Sequence, residues 1–117
     1  MTAPELLPPI DLDPEAEVTP HALFRELAEG RRPLLADVRP EGERPSLVGA
    51  VPWPGEGWEP PADRGTVLFD DDGLAARELA HRLRGRGFSR VRSLYGGLCL
   101  YDFALDPEVV GDERFLR

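Results

Sequence analysis

Two windows of the chain repeat apolar residues at helical spacing, and short apolar runs lie between and around them. Pro20, Leu23, Phe24 and Leu27 fall at i, i+3, i+4 and i+7, which is one face of a helix. Thr19 stands as its N-cap, Pro20 takes the first helical position, and Gly30 closes it. Ala76, Leu79, Ala80 and Leu83 repeat the spacing, so a second helix is predicted over 73–85 with Asp72 as N-cap. Gly96 and Gly97 open a short third helix over 98–104.

The apolar runs have strand length. Val18 begins a short edge strand, and further strands are predicted over 33–38, 47–53, 66–69 and 90–94. Pro52 confines the 47–53 strand to an edge or a strand end. Strands alternating with helices predict an α/β fold with a central, mostly parallel sheet and helices on both faces. Residues 1–17, rich in proline and acid, read as an extended tail that Leu6, Leu7 and Ile10 could lay along the body. A single domain is expected over 18–104, and 105–117 reads as an acidic C-terminal tail.

Charge and composition narrow the function classes. The chain has 117 residues and a net charge of -8, which argues against nucleic-acid and anionic-membrane partners. No apolar run is long enough to span a membrane and the N-terminus lacks a basic leader, so a cytoplasmic location is expected. The single cysteine, Cys99, excludes an internal disulfide. There is no Lys, Asn or Gln, which speaks to a GC-rich coding bias rather than to function.

The candidate chemistry lies in the loop after the 66–69 strand, where α/β proteins place their sites. That loop is Asp70, Asp71, Asp72 and Gly73, followed by Leu74 and Ala75. A second concentration of charge runs from Arg77 to Arg92, with six arginines against Glu78. It reads either as a solvated helix end, where the dipole favours cations, or as a docking patch for an acidic partner. Arg82, Arg84 and Arg86, with Trp58 on the long loop, are the candidate contacts of a protein partner.

Several motifs, taken in order, resemble the rhodanese-like (sulfurtransferase) domain. Asp37, Val38 and Arg39 match a DVR at a strand end, and Gly49-Ala50 match the GA of a GHIPGA segment. Gly87-Phe88 match a GF before the last strand, and Gly96-Gly97 with Tyr101 match a glycine pair followed by an aromatic. The likeness covers about residues 18–104 and implies a three-layer rhodanese-like domain, with Asp37, Arg39, Gly49, Ala50, Gly96 and Gly97 as framework. It also implies a loop resembling CxxGxR, in which a low-pKa cysteine ringed by backbone N–H groups carries sulfur as a persulfide.

Counted back from Gly87-Phe88, the cysteine position falls on Asp70, the loop glycine on Gly73 and the arginine on Ala75. A carboxylate cannot carry a persulfide, and three of them repel anionic donors. The cysteine-to-arginine phosphatase spacing fails as well, and Ser46 stands near the place of the GHIPGA histidine. The resemblance therefore implies a retained fold without sulfur transfer: no catalytic residue, no cofactor, and a small binding or regulatory module.

The rival reading is an enzyme on the acidic loop. Strand, Asp70, Asp71, Asp72 and Gly73 also resemble the first motif of haloacid-dehalogenase-type phosphotransferases, with Asp70 as nucleophile and Asp72 as acid/base near Mg²⁺. The 44 residues after Gly73 are too few for that family's later motifs. Asp70 and Asp72 remain the weak metal candidates, against a solvated acidic loop and no metal. Cys99 is expected to pack in the core, and His21 and His81 to lie on solvated helix faces.

Overall fold

The computed structural model describes residues 12–106, 108, 111 and 114–117. Five parallel strands form one sheet: β1 (Glu17–Val18), β2 (Leu34–Asp37), β3 (Val51–Pro52), β4 (Thr66–Phe69) and β5 (Val91–Leu94). Their order is β1-β5-β4-β2-β3, so β4, with every residue buried, is the central strand. Three helices join them: α1 (Pro20–Ala28), α2 (Leu74–Gly85) and α3 (Gly97–Ala104). Among the described residues no helix is long and apolar enough to cross a membrane.

The period-two alternation of the strands sorts their side chains between two cores. Val67 and Phe69 of β4 join Leu23 and Leu27 of α1 and Leu98 and Tyr101 of α3 on one face. Leu68 points the other way, with Ala36 and Val91, onto Ala76, Leu79, Ala80 and Leu83 of α2. The four apolar positions picked out by helical spacing are thus the buried face of α2. Burial of each leucine contributes on the order of 2 kcal/mol. Phe88, Trp53 and Trp58 close the rim of this second core.

Both long helices end as their glycines require. The Gly30 N–H donates to the Leu27 carbonyl and the Arg31 N–H to that of Glu26, with Gly30 at φ +80°. The Gly87 and Phe88 N–H groups donate to the carbonyls of Arg84 and Leu83, with Gly87 at φ +103°. Both are six-to-one, five-to-two terminations that need a left-handed residue. The Gly87-Phe88 pair is therefore helix-stop chemistry, glycine for the turn and phenylalanine for the contact back onto the core.

Three segments differ from the sequence expectation. The 47–53 strand reduces to Val51–Pro52, because residues 48–50 turn and Leu47 instead bridges antiparallel to Leu116. Residues 114–117 return to the body: Phe115 packs 5.9 Å from Phe24, and the Tyr101 hydroxyl donates to the Arg114 carbonyl at 2.6 Å. Glu17, placed in the N-terminal tail, lies buried in β1, where it pairs with Arg77 at 3.5 Å and accepts the Asp13 N–H at 2.7 Å. Leu6, Leu7 and Ile10 lie outside the described residues.

Candidate functional site

The acidic loop leaves β4 at the carboxyl edge of the sheet, beside the end of β2. All strands being parallel, this edge gathers Asp37, Arg39, residues 70–75 and the start of α3. Asp70 turns inward and is 6 % exposed. Its Oδ1 accepts the Gly73 N–H at 2.6 Å, and its Oδ2 accepts those of Ala75 and Ala76 at 3.0 and 3.1 Å. These are among the first N–H groups of α2, which have no partner within the helix. Asp70 thus satisfies three N–H groups at the helix start, and Asp72 takes a fourth, that of Leu74. Gly73 sits at the cap position at φ +86° and has no side chain to offer.

The three carboxylates of the loop diverge. Asp71 points to Arg39, whose Nη1 donates to Oδ1 at 3.1 Å. Asp72 is exposed, and its Oδ1 accepts the Leu74 N–H at 3.0 Å. Among the described residues no three His, Cys, Asp or Glu side chains gather as a metal site. Asp70 and Asp72 are both turned onto helix N–H groups, an arrangement that favours a bound carboxylate rather than a cation.

Burial pushes the pKa of Asp70 above the ordinary carboxylate value. The N–H groups of Ala76 and Gly73 pull it back without cancelling the rise, and the neighbouring charge of Asp72 adds to it.

Glycines hold this loop against α3. The Leu98 and Cys99 N–H groups donate to the carbonyls of Asp70 and Asp71 at 2.8 and 3.0 Å. A Cβ on Gly97 would meet the Asp71 carbonyl oxygen at 2.4 Å, and one on Gly73 would meet the Gly96 nitrogen at 2.9 Å. The glycine pair and the loop glycine are thus required by close backbone approach.

Arg39 ties the edge together. Its Nε and Nη2 donate to the two oxygens of Asp37 at 3.0 Å each, and Nη2 also donates to the Pro45 carbonyl at 2.8 Å. The guanidinium lies 5.9 Å from the centre of the Phe69 ring. Hydrogen bonding to Asp37 raises its pKa further, so it stays charged. The framework role expected for Asp37 and Arg39 has this geometric content. Ser46 stands at the same place, its Oγ 3.4 Å from Asp37. Behind them a cleft of about 340 Å³ runs along residues 41–52, with Gly49, Ala50 and Arg117 in its wall and Asp70 outside it.

The remaining candidates separate. Trp58, Arg82 and Arg86 come together around a small cavity of about 120 Å³, with Trp53 and Leu79. Arg84 points elsewhere, its Nη1 donating to the carbonyls of Ser89 and Val91. Cys99 is exposed, contrary to the expected packing role, because it opens α3 on the side away from Leu98 and Tyr101. Desolvation and the charges of Asp71, Asp72 and Asp102 raise its thiol pKa, so helix-start position does not activate it. Sequence reasoning missed the capping role of Asp70 and the Asp71–Arg39 pair. An apolar strand followed by aspartate three residues before a glycine was the available signal for the first.

No protein-family model and no curated protein matches the chain. Solved structures do. A rhodanese-related protein of Thermoplasma volcanium is 14 % identical at a TM-score of 0.64, over 76 % of this chain and 92 % of its own. Reduced CoADR-RHD of Bacillus anthracis is 25 % identical at a TM-score of 0.63, over 80 % of this chain. The chain spans only 17 % of that longer protein. With the parallel β1-β5-β4-β2-β3 sheet, these likenesses show that the chain has a rhodanese-like fold.

Proposed function

We propose that this rhodanese-like domain does not transfer sulfur and works as a binding or regulatory module. The observation that carries the reading is the carboxylate of Asp70, bonded to the N–H groups of Gly73, Ala75 and Ala76. In the family resemblance that ring of donors receives a cysteine and the charge that builds on its persulfide. Here the chain's own anion fills it. A second anion would displace Asp70 into a site already negative from Asp71 and Asp72. Asp70 cannot form a persulfide, and Cys99 lies outside the ring with a raised thiol pKa.

The phosphotransferase reading is weaker on the same geometry. A nucleophilic Asp70 would need an exposed oxygen, and both of its oxygens face α2 at 6 % exposure. A thiosulfate:cyanide assay tests the proposal: no turnover above background is expected, with or without Cys99→Ser. Turnover that Cys99→Ser abolishes would overturn it. Hydrolysis of a generic phosphate ester that Asp70→Asn abolishes would overturn it in favour of the rival.

A further inference from the structure

The opposite edge of the sheet carries an unusual charge for so acidic a chain. Because the strands are parallel, residues just before β2, β4 and β5 share this amino edge. A furrow of about 300 Å³ runs along it, lined by Arg31, Arg32, Arg64, Arg90 and Arg92 against the carboxylates of Glu26 and Asp63. Two of these cations are matched: Arg92 donates to both oxygens of Glu26, and Arg31 pairs with Glu29.

The other three are anchored by neutral oxygens. Arg32 donates to the Val48 carbonyl at 2.7 Å, Arg64 to that of Arg32 at 3.2 Å, and Arg90 to that of Ala62 at 3.2 Å. Among the described residues none of the three has a carboxylate partner in a salt bridge. A guanidinium has five N–H donors, so each keeps most of them for solvent or a ligand. Arg32 and Arg64 stand in loops, where no helix end accounts for a cation. The carbonyl anchors also pre-order side chains whose immobilisation would otherwise oppose binding.

A second furrow, about 230 Å³, shares Gly65, Arg90 and Arg92 with the first and extends it to Arg84, with Glu15 as the one carboxylate in its wall. The cationic stripe therefore crosses three adjacent strands, roughly 10 Å at about 4.8 Å per strand. An extended peptide places same-side carboxylates about 7 Å apart, which such a stripe can meet in succession. We propose that this arginine stripe is a docking surface for an extended acidic segment of a partner protein. The proposal rests on the binding-module reading and gives that module a partner chemistry, on the edge away from Asp70.

Fluorescence anisotropy of a labelled hexaglutamate peptide tests it. Saturable binding is expected at low ionic strength, weakened by added salt. Arg64→Glu with Arg90→Glu should raise Kd about tenfold or more, as local attraction becomes repulsion. Arg25→Glu with Arg44→Glu changes net charge equally at two residues that do not line the furrow, and should leave Kd within about twofold. Absence of saturable binding, equal weakening by both pairs, or tighter binding of a single-stranded oligonucleotide of equal charge would each overturn the proposal. None of these outcomes touches the sulfur-transfer assay, so the two readings fail separately.

Discussion

Asp70 Oδ1 accepts the N–H of Gly73 at 2.6 Å, so the first residue of the loop closes it on the cap residue of α2. Its second oxygen takes the next two donors, those of Ala75 and Ala76. One side chain thereby satisfies three N–H groups that burial would otherwise leave costly. Asp70→Ala is expected to destabilise the domain by about 1–3 kcal/mol, read as a lower urea midpoint. Asp70→Asn should cost less, since it retains one acceptor oxygen. An unchanged midpoint for Asp70→Ala would mean that water replaces the carboxylate without loss.

The same loop sets a steric limit on α3. Gly97 has φ +66° and lies where a Cβ would be 2.4 Å from the Asp71 carbonyl oxygen. That neighbour is backbone, held by the Cys99 N–H, so it cannot rotate away. Gly97→Ala should therefore cost at least about 2 kcal/mol from strain and displaced backbone together. Gly85→Ala, where a Cβ meets nothing within 4 Å, should be neutral or slightly stabilising. Thermal melts of the two variants compare them directly.

Arg39 joins what the sheet leaves separate: the end of β2, the 40–46 loop through Pro45, and the acidic loop through Asp71. Its side chain is 6 % exposed and that of Asp37 14 %, so removing the cation strands a largely buried carboxylate. Arg39→Ala is expected to cost about 3 kcal/mol. Arg39→Lys should recover only part, because an ammonium cannot make the two parallel bonds to Asp37. Full recovery by lysine, in chemical denaturation, would show that charge alone suffices there.

What was legible in the sequence follows what periodicity and turn chemistry encode. The buried faces of α1 and α2 were readable because four apolar residues at helical spacing leave little choice, and Gly30 and Gly87 because the left-handed turn demands them. The N-cap of α2 was misread. Sequence spacing favours the last aspartate before the helix, but Gly73 in the left-handed region turns the chain so that Asp70 faces the free N–H groups. Cys99 was misread because burial tendency belongs to a residue type, whereas the side it faces on α3 depends on where Gly97 starts that helix. Leu116 pairing with Leu47 and the buried Glu17–Arg77 pair join residues far apart in sequence, and no local pattern announces such contacts. Of the arginine stripe, Arg90 belongs to the charged run from Arg77 to Arg92, but Arg32 and Arg64 join it only once parallel strands bring three loops to one edge.

Replacing Asp70 by cysteine would test the ring of donors directly. A thiol placed there faces the N–H groups of Gly73, Ala75 and Ala76 at the start of α2, conditions that stabilise a thiolate. In the Asp70→Cys, Cys99→Ser variant, thiolate absorbance against pH should give a midpoint below that of Cys99 in the natural chain, because the N–H groups offset part of the burial that acts at position 70. The natural Cys99 should titrate above its ordinary value, for partial desolvation and three nearby carboxylates oppose its ionisation. A midpoint for the introduced thiol at or above that of Cys99 would mean that the donors do not converge on position 70.

The pH dependence of stability separates burial from hydrogen bonding at Asp70 itself. Burial raises the folded pKa above the ordinary value of 3.8, against the pull of the Ala76 and Gly73 N–H groups. The folded chain then keeps the proton to a higher pH than the unfolded chain does. Between the two pKa values the native state binds more protons, so stability falls as pH rises through that window. The contribution is fully present below the unfolded pKa and lost above the folded one. Asp70→Asn does not titrate, and subtracting its stability cancels the other carboxylates. The difference, wild type minus Asp70→Asn, should therefore decline as pH rises from about 3.5 and level off above the folded pKa. A difference that climbs with pH instead would show that the three N–H groups outweigh burial, and that the ring prefers its anion charged.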